Sequence, residues 1–140
     1  MTTSPRVLII DDDADFRRAV GGLLTASGFD VLTASNGREG LDAAKSSRPD
    51  LILLDVMMDE RTEGFFALQE IRRVPALRDT PVIVVSSIYT DQPSFRVDPQ
   101  AGWLPASLFL AKPVDPVRLL EESARLLAPA AAQASRGSQP

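Results

Sequence analysis

Four apolar runs in this chain end directly on groups that can do chemistry. Val7-Leu8-Ile9-Ile10 runs into Asp11-Asp12-Asp13, and Leu51-Ile52-Leu53-Leu54 into Asp55. Val82-Ile83-Val84-Val85 leads to Ser86-Ser87, and Leu108-Phe109-Leu110-Ala111 to Lys112-Pro113. Three carboxylates brought together repel one another unless a cation neutralises them, which implies a hard divalent ion. Oxygen-only ligands with retained waters, one or two direct carboxylates and a phosphate oxygen suit Mg2+. Lys112 supplies a mobile positive charge for phosphoryl oxygens, and the Ser86 hydroxyl can donate to another. Asp55 is then the acceptor: its attack on phosphorus gives an acyl phosphate, with metal and lysine stabilising the transferring group.

These groups meet only if the runs are neighbouring parallel strands, because ligands of an open parallel sheet bind outside the carboxyl ends of its strands. The runs from Val7, Leu51 and Val82 are continuously apolar, as for strands covered on both faces, whereas Asp30 to Ala34 is mixed and suits an edge. Helical spacing fills the gaps. Phe16, Val20, Leu23 and Leu24 form one apolar stripe, with Arg17, Arg18 and Thr25 facing elsewhere and Gly28 as a stop, which predicts a helix over about 15–27. A second runs from Arg38 to Ser47 with Leu41 and Ala44 inward, and a third from Gly64 to Arg73 with Phe65, Leu68 and Ile71 inward. A last helix is capped by Asp115 with Pro116 in its first position, and its expected stripe is Val117, Leu120, Ala124 and Leu127. Strand and helix alternate throughout, so the fold class is α/β, a doubly wound parallel sheet; the order assigned to its five strands is 2-1-3-4-5. Residues 1–128 form one domain. From Pro129 onward, small residues and Ser-Arg-Gly-Ser-Gln-Pro predict a disordered tail over 129–140.

A length of 140 residues with 44% hydrophobic residues fits one domain with its own core. The net charge of -4 and the lack of a basic stretch argue against nucleic-acid binding. There is no cysteine, so disulfides, zinc-thiolate sites and thiol chemistry are excluded. Without histidine, a catalytic triad and imidazole metal sites are excluded too. The start shows no signal-peptide pattern, and no apolar run approaches membrane-spanning length, so a cytoplasmic location without membrane insertion is expected.

Taken singly, each motif has a plainer reading: Asp11 to Asp15 as helix-capping acids, Asp55 as a turn residue, Ser86-Ser87 as polar punctuation, Lys112 as a surface lysine. Together, in this order and with complementary charges, they resemble the response-regulator receiver domain of two-component signalling, from about Arg6 to Leu127. The resemblance implies a flavodoxin-like receiver fold. It makes Asp55 the phosphorylated aspartate, Ser86 the hydroxyl switch residue, Lys112 the family's lysine and Phe109 its aromatic switch. It also makes Asp12 the direct Mg2+ ligand, Asp11 a partner through water and the backbone carbonyl of Met57 a further ligand, leaving Asp13 to start a helix. A sensor histidine kinase or phosphotransfer protein would donate the phosphoryl group, and the output would be contact with a downstream protein. Such a domain is not an enzyme beyond catalysing its own phosphorylation and dephosphorylation.

Two segments depart from the family pattern. After Asp55, Met57-Met58-Asp59-Glu60-Arg61-Thr62-Glu63-Gly64 lacks the usual proline and is longer, and the interval from Ser86 to Lys112 is also extended. It contains Pro93, Pro99 and Pro105 where the family has its fourth helix, which predicts a loop or short turns there. These departures motivate an alternative, a receiver-like interaction module that works without phosphorylation. A third reading, a phosphohydrolase using Asp11 or Asp13 as nucleophile, lacks the length for a substrate-covering cap.

Overall fold

The computed structural model describes residues 4–55, 63–86, 108–111 and 114–137. Five strands alternate with helices: β1 (Arg6–Ile10), α1 (Ala14–Ala26), β2 (Asp30–Ala34), α2 (Gly37–Ser47), β3 (Leu51–Asp55) and α3 (Glu63–Arg73). A 3-10 turn at Pro75–Leu77, β4 (Val82–Ser86), β5 (Leu108–Ala111) and a C-terminal helix (Pro116–Gly137) complete the order. All pairings are parallel, as the alternation predicts, and the sheet order is β2-β1-β3-β4-β5, the order assigned above. β2 lies at an edge, which explains its mixed composition. The segment containing Pro93, Pro99 and Pro105 lies outside the described residues.

Successive side chains of a strand point to opposite faces, and here both faces are covered. Leu8, Ile10, Ile52, Leu54, Val82 and Val84 pack with Ala44 of α2 and Leu68 and Ile71 of α3. Val7, Ile9, Leu51, Leu53, Ile83 and Val85 pack on the other side with Val20 and Leu24 of α1 and Leu119 of the C-terminal helix. The central strands are therefore apolar at every position, and the first polar groups the chain can place on them fall at their ends.

The helix termini are chemically specified. Asp13 caps α1 by accepting from the N–H groups of Asp15 and Phe16 at 3.0 and 3.3 Å. At its other end the Phe29 N–H reaches back to the Leu24 carbonyl, a closure that needs Gly28 at φ 96°. Asn36 caps α2 by accepting from the Glu39 N–H at 2.8 Å. The Glu39 carboxylate reaches back to the Ser35 N–H and hydroxyl at 3.1 and 2.9 Å, and these bonds hold its pKa below the ordinary carboxyl value. Past α3, Arg72 gathers the carbonyls of Leu77, Arg78 and Thr80 and so fixes the turn that leads into β4.

One expectation for the C-terminal helix is corrected. Its buried positions are Leu119 and Ser123, flanked by half-buried Leu120, Leu126 and Leu127, while Val117 is 62% exposed and Ala124 is also exposed. The leucine doublets at 119–120 and 126–127 fit two adjacent stripes, and contact with the α1 side of the sheet selects the one through Leu119 and Ser123. The helix is described as far as Gly137, and its end is rich in alanine, the strongest intrinsic helix former, at Ala128, Ala130, Ala131, Ala132 and Ala134.

Candidate active site

Register assembles the site. β1 and β3 pair with Ile10 opposite Leu54, so the next residues along, Asp11 and Asp55, leave the two central strands side by side. A slip by one residue would turn these side chains to other faces, and the apolar pattern of both strands forbids it. Asp11 is 1% exposed, Asp55 is 5% exposed and Asp12 is half-buried. One carboxylate oxygen from each of the three lies within 4.8 Å of the others.

The turn after β1 is held by hydrogen bonds from several directions. The Asp11 N–H donates to the Ala34 carbonyl of β2 at 3.1 Å, and Asp11 Oδ1 accepts from the Asp13 N–H at 2.9 Å. The Arg17 guanidinium of α1 donates through Nη1 to the Asp11 carbonyl at 2.7 Å. Asp13 is exposed and occupied as the α1 cap, whereas Asp11 and Asp12 each offer a carboxylate oxygen to the cluster. That division leaves Asp13 unsuited to be a nucleophile in a shared pocket.

An all-oxygen donor set is what a hard divalent cation requires. In a Mg2+ octahedron, ligand oxygens are about 3 Å apart when adjacent and about 4 Å when opposite, so three oxygens within 4.8 Å need to close by less than about 2 Å to share one ion, with water in the remaining positions. Without a cation, each pair of unit charges at that separation repels by roughly 3 kcal/mol at an effective dielectric of about 20. The cluster therefore favours a cation on both geometry and charge.

Of the other predicted site residues, Ser86 is the last residue of β4 and stands in register with Ala111 of β5. Phe109 lies within β5 opposite Val84. The side chains of Ser86 and Phe109, and all of Met57 and Lys112, lie outside what the structure describes; Lys112 follows Ala111 directly in the chain. Two contributors are not evident from sequence patterning. Arg17, expected to face away, is half-buried against the acidic turn. Gly40 of α2 packs where an added Cβ would lie 2.5, 2.7 and 2.9 Å from the Ile10 side chain, one residue before Asp11. A cation in the first turn of a helix, where the dipole disfavours it, is the available sequence signal for Arg17.

Residues 7–124 match the family described as response regulator receiver domain. The chain belongs to that family. The receiver is similar to the transcriptional regulatory protein PrrA of Mycobacterium tuberculosis, with 43% identity over 89 residues, 61% of this chain and 35% of that protein. It is also similar to the response regulator PleD of Caulobacter vibrioides, with 36% identity over 117 residues, 83% of this chain and 24% of that protein. Among solved structures, the chemotaxis response regulator CheY4 of Vibrio cholerae superposes with a TM-score of 0.74 at 30% identity, covering 89% of this chain and all of that one. The receiver spans only about a third of the length of PrrA and of the probable transcriptional regulator ycf27 of Porphyra purpurea, which it also matches. Among the described residues, no helix is long and apolar enough to cross a membrane.

Proposed function

We propose that this receiver is a phosphorylation-dependent switch that accepts a phosphoryl group on Asp55 from a histidine kinase or phosphotransfer protein. The observation that carries the reading is the convergence of Asp11, Asp12 and Asp55, with carboxylate oxygens within 4.8 Å, at the ends of the two central strands. Asp12 would hold Mg2+ directly and Asp11 through water, with Asp55 and the Met57 carbonyl as the further protein donors. Bound there, the ion would neutralise the charge on the transferring phosphoryl group. An Asp55 carboxylate oxygen bonds to phosphorus as the phosphorus–nitrogen bond to the donor histidine breaks, and the imidazole leaves with the electron pair and takes up a proton. Lys112 and Ser86 bind the phosphoryl oxygens. Phe109 turns with Ser86 and transmits the change to a surface that contacts a downstream protein, shifting a two-state equilibrium. The domain acts in the cytoplasm, without binding nucleic acid or inserting in a membrane, and residues 1–128 constitute it. Its chemistry is confined to its own phosphorylation and dephosphorylation.

Acetyl phosphate with Mg2+ tests this reading by intact mass. Wild type should gain one phosphoryl group and Asp55→Ala none. Failure of wild type to incorporate phosphate from acetyl phosphate and from its kinase would favour the receiver-like module that works without phosphorylation, which the unusual segments after Asp55 and Ser86 motivate.

A further inference from the structure

Arg17 is the fourth residue of α1, just behind the unpaired N–H groups whose partial positive charge disfavours a cation at a helix start, and next to the acid run that attracts one. It is nevertheless half-buried, and its Nη1 donates to the Asp11 carbonyl at 2.7 Å. Its backbone N–H donates to the Asp13 carbonyl at 3.0 Å, so both ends of the residue grip the turn that carries Asp11, Asp12 and Asp13. The same guanidinium contributes to lowering the Glu39 pKa at the start of α2, after the larger effect of the Ser35 hydrogen bonds. Its neighbour Arg18 shows the contrast: that side chain is 79% exposed and reaches Asp15 at 3.5 Å, a surface pair of the ordinary kind.

We propose that Arg17 is a positioning residue for the divalent-cation site, its guanidinium holding the Asp11 carbonyl so that the Asp11 and Asp12 carboxylates are aimed together at the ion. This rests on the reading of the cluster as a Mg2+ site. The two roles open to an arginine here predict opposite signs. As a charge alone, Arg17 repels Mg2+, and its removal tightens binding. As a positioning group it fixes ligand orientation, and its removal weakens binding, by about tenfold or more if it resembles other groups that orient metal ligands.

Mg2+ titration by isothermal calorimetry of wild type, Arg17→Ala, Arg17→Lys and Arg18→Ala separates the two. The expected result is an affinity about tenfold weaker in Arg17→Ala, partly restored in Arg17→Lys, and unchanged or slightly tighter in Arg18→Ala. A second measurement requires no metal. Hydrogen exchange of the Asp13 amide, which donates to Asp11 Oδ1, should accelerate in Arg17→Ala while the amides of β1 and β3 keep their protection. This also distinguishes a loosened turn from a misfolded domain. Unchanged or tighter Mg2+ binding in a folded Arg17→Ala would overturn the proposal while leaving the cation site intact. Absence of Mg2+ binding by wild type would overturn the cation-site reading itself and the proposal with it.

Discussion

Two glycine-to-alanine substitutions on neighbouring helices should have opposite effects on stability, because only one of the glycines is needed for packing. In α2, a Cβ added at Gly40 would lie 2.5 Å from Cδ1, 2.7 Å from Cγ1 and 2.9 Å from Cγ2 of Ile10. Carbon atoms pack best at about 3.5–4.0 Å, so relief requires a shift of roughly 1 Å between helix and strand. Ile10 is fully buried and branched at Cβ, so swinging its terminal methyl away leaves the Cγ2 overlap in place. Overpacking of this kind costs about 1–3 kcal/mol, against a gain of up to about 1 kcal/mol from replacing a helical glycine. Gly40→Ala should therefore lose roughly 1–2 kcal/mol, or several degrees in melting temperature for a domain of this size. In α1, a Cβ at Gly22 meets nothing within 4 Å, so Gly22→Ala should gain up to about 1 kcal/mol. Urea unfolding of the two variants beside wild type measures both. Because Ile10 adjoins Asp11, Gly40→Ala should also weaken Mg2+ binding, and Gly22→Ala should not. A Gly40→Ala protein as stable as wild type would refute the claim that close approach of α2 to β1 requires this glycine.

Substitutions in the acid run should separate metal binding from capping. Asp12→Ala should weaken Mg2+ binding and nearly abolish phosphorylation, whereas Asp13→Ala should lose about 1 kcal/mol of stability with the α1 cap and bind Mg2+ nearly as wild type does; the reverse pattern in calorimetry and mass spectrometry would shift the assignment by one residue. For acid stability, the Glu39 pKa is lowered from 4.5, so its bonds to Ser35 stabilise the fold fully above that value, and the contribution fades as pH falls through the lower folded value. Unfolding curves of wild type and Glu39→Gln should then converge below pH 4.5, and a gap that stays constant with pH would count against the carboxylate's role.

The sheet was legible because its local and long-range demands coincide. Strands covered on both faces must be apolar throughout, which makes β1, β3 and β4 conspicuous, and the mixed β2 could only be an edge. The site followed from the same logic, since Asp11 and Asp55 are the first polar residues after adjacent apolar strands. What the chain conceals are properties of contact. Nothing near Gly40 in sequence encodes how close α2 lies to Ile10, and nothing near Arg17 encodes that its guanidinium folds back on the Asp11 carbonyl. The stripe of the C-terminal helix was ambiguous for a related reason: two leucine doublets permit two faces, and packing on the sheet chooses between them.

The acidic cluster also explains why so much local structure converges on one turn. Burying Asp11 and Asp55 almost completely is unfavourable for ionised groups, and placing Asp12 within 4.8 Å of both adds repulsion. The apolar strands cannot relieve this, since their own side chains are committed to the two cores. Relief must come from fixed dipoles and from counterions. The Asp13 N–H at Asp11 Oδ1 is one such dipole, and the exposed start of α1 places further N–H groups nearby, occupied in part by the Asp13 cap. A cation that enters the cluster therefore finds ligands already gathered at the expense of the metal-free fold, and its binding should return that stability. On this account the crowding of Asp11, Asp12 and Asp55 makes the fold responsive to what occupies the site, which is the physical requirement for the proposed switch.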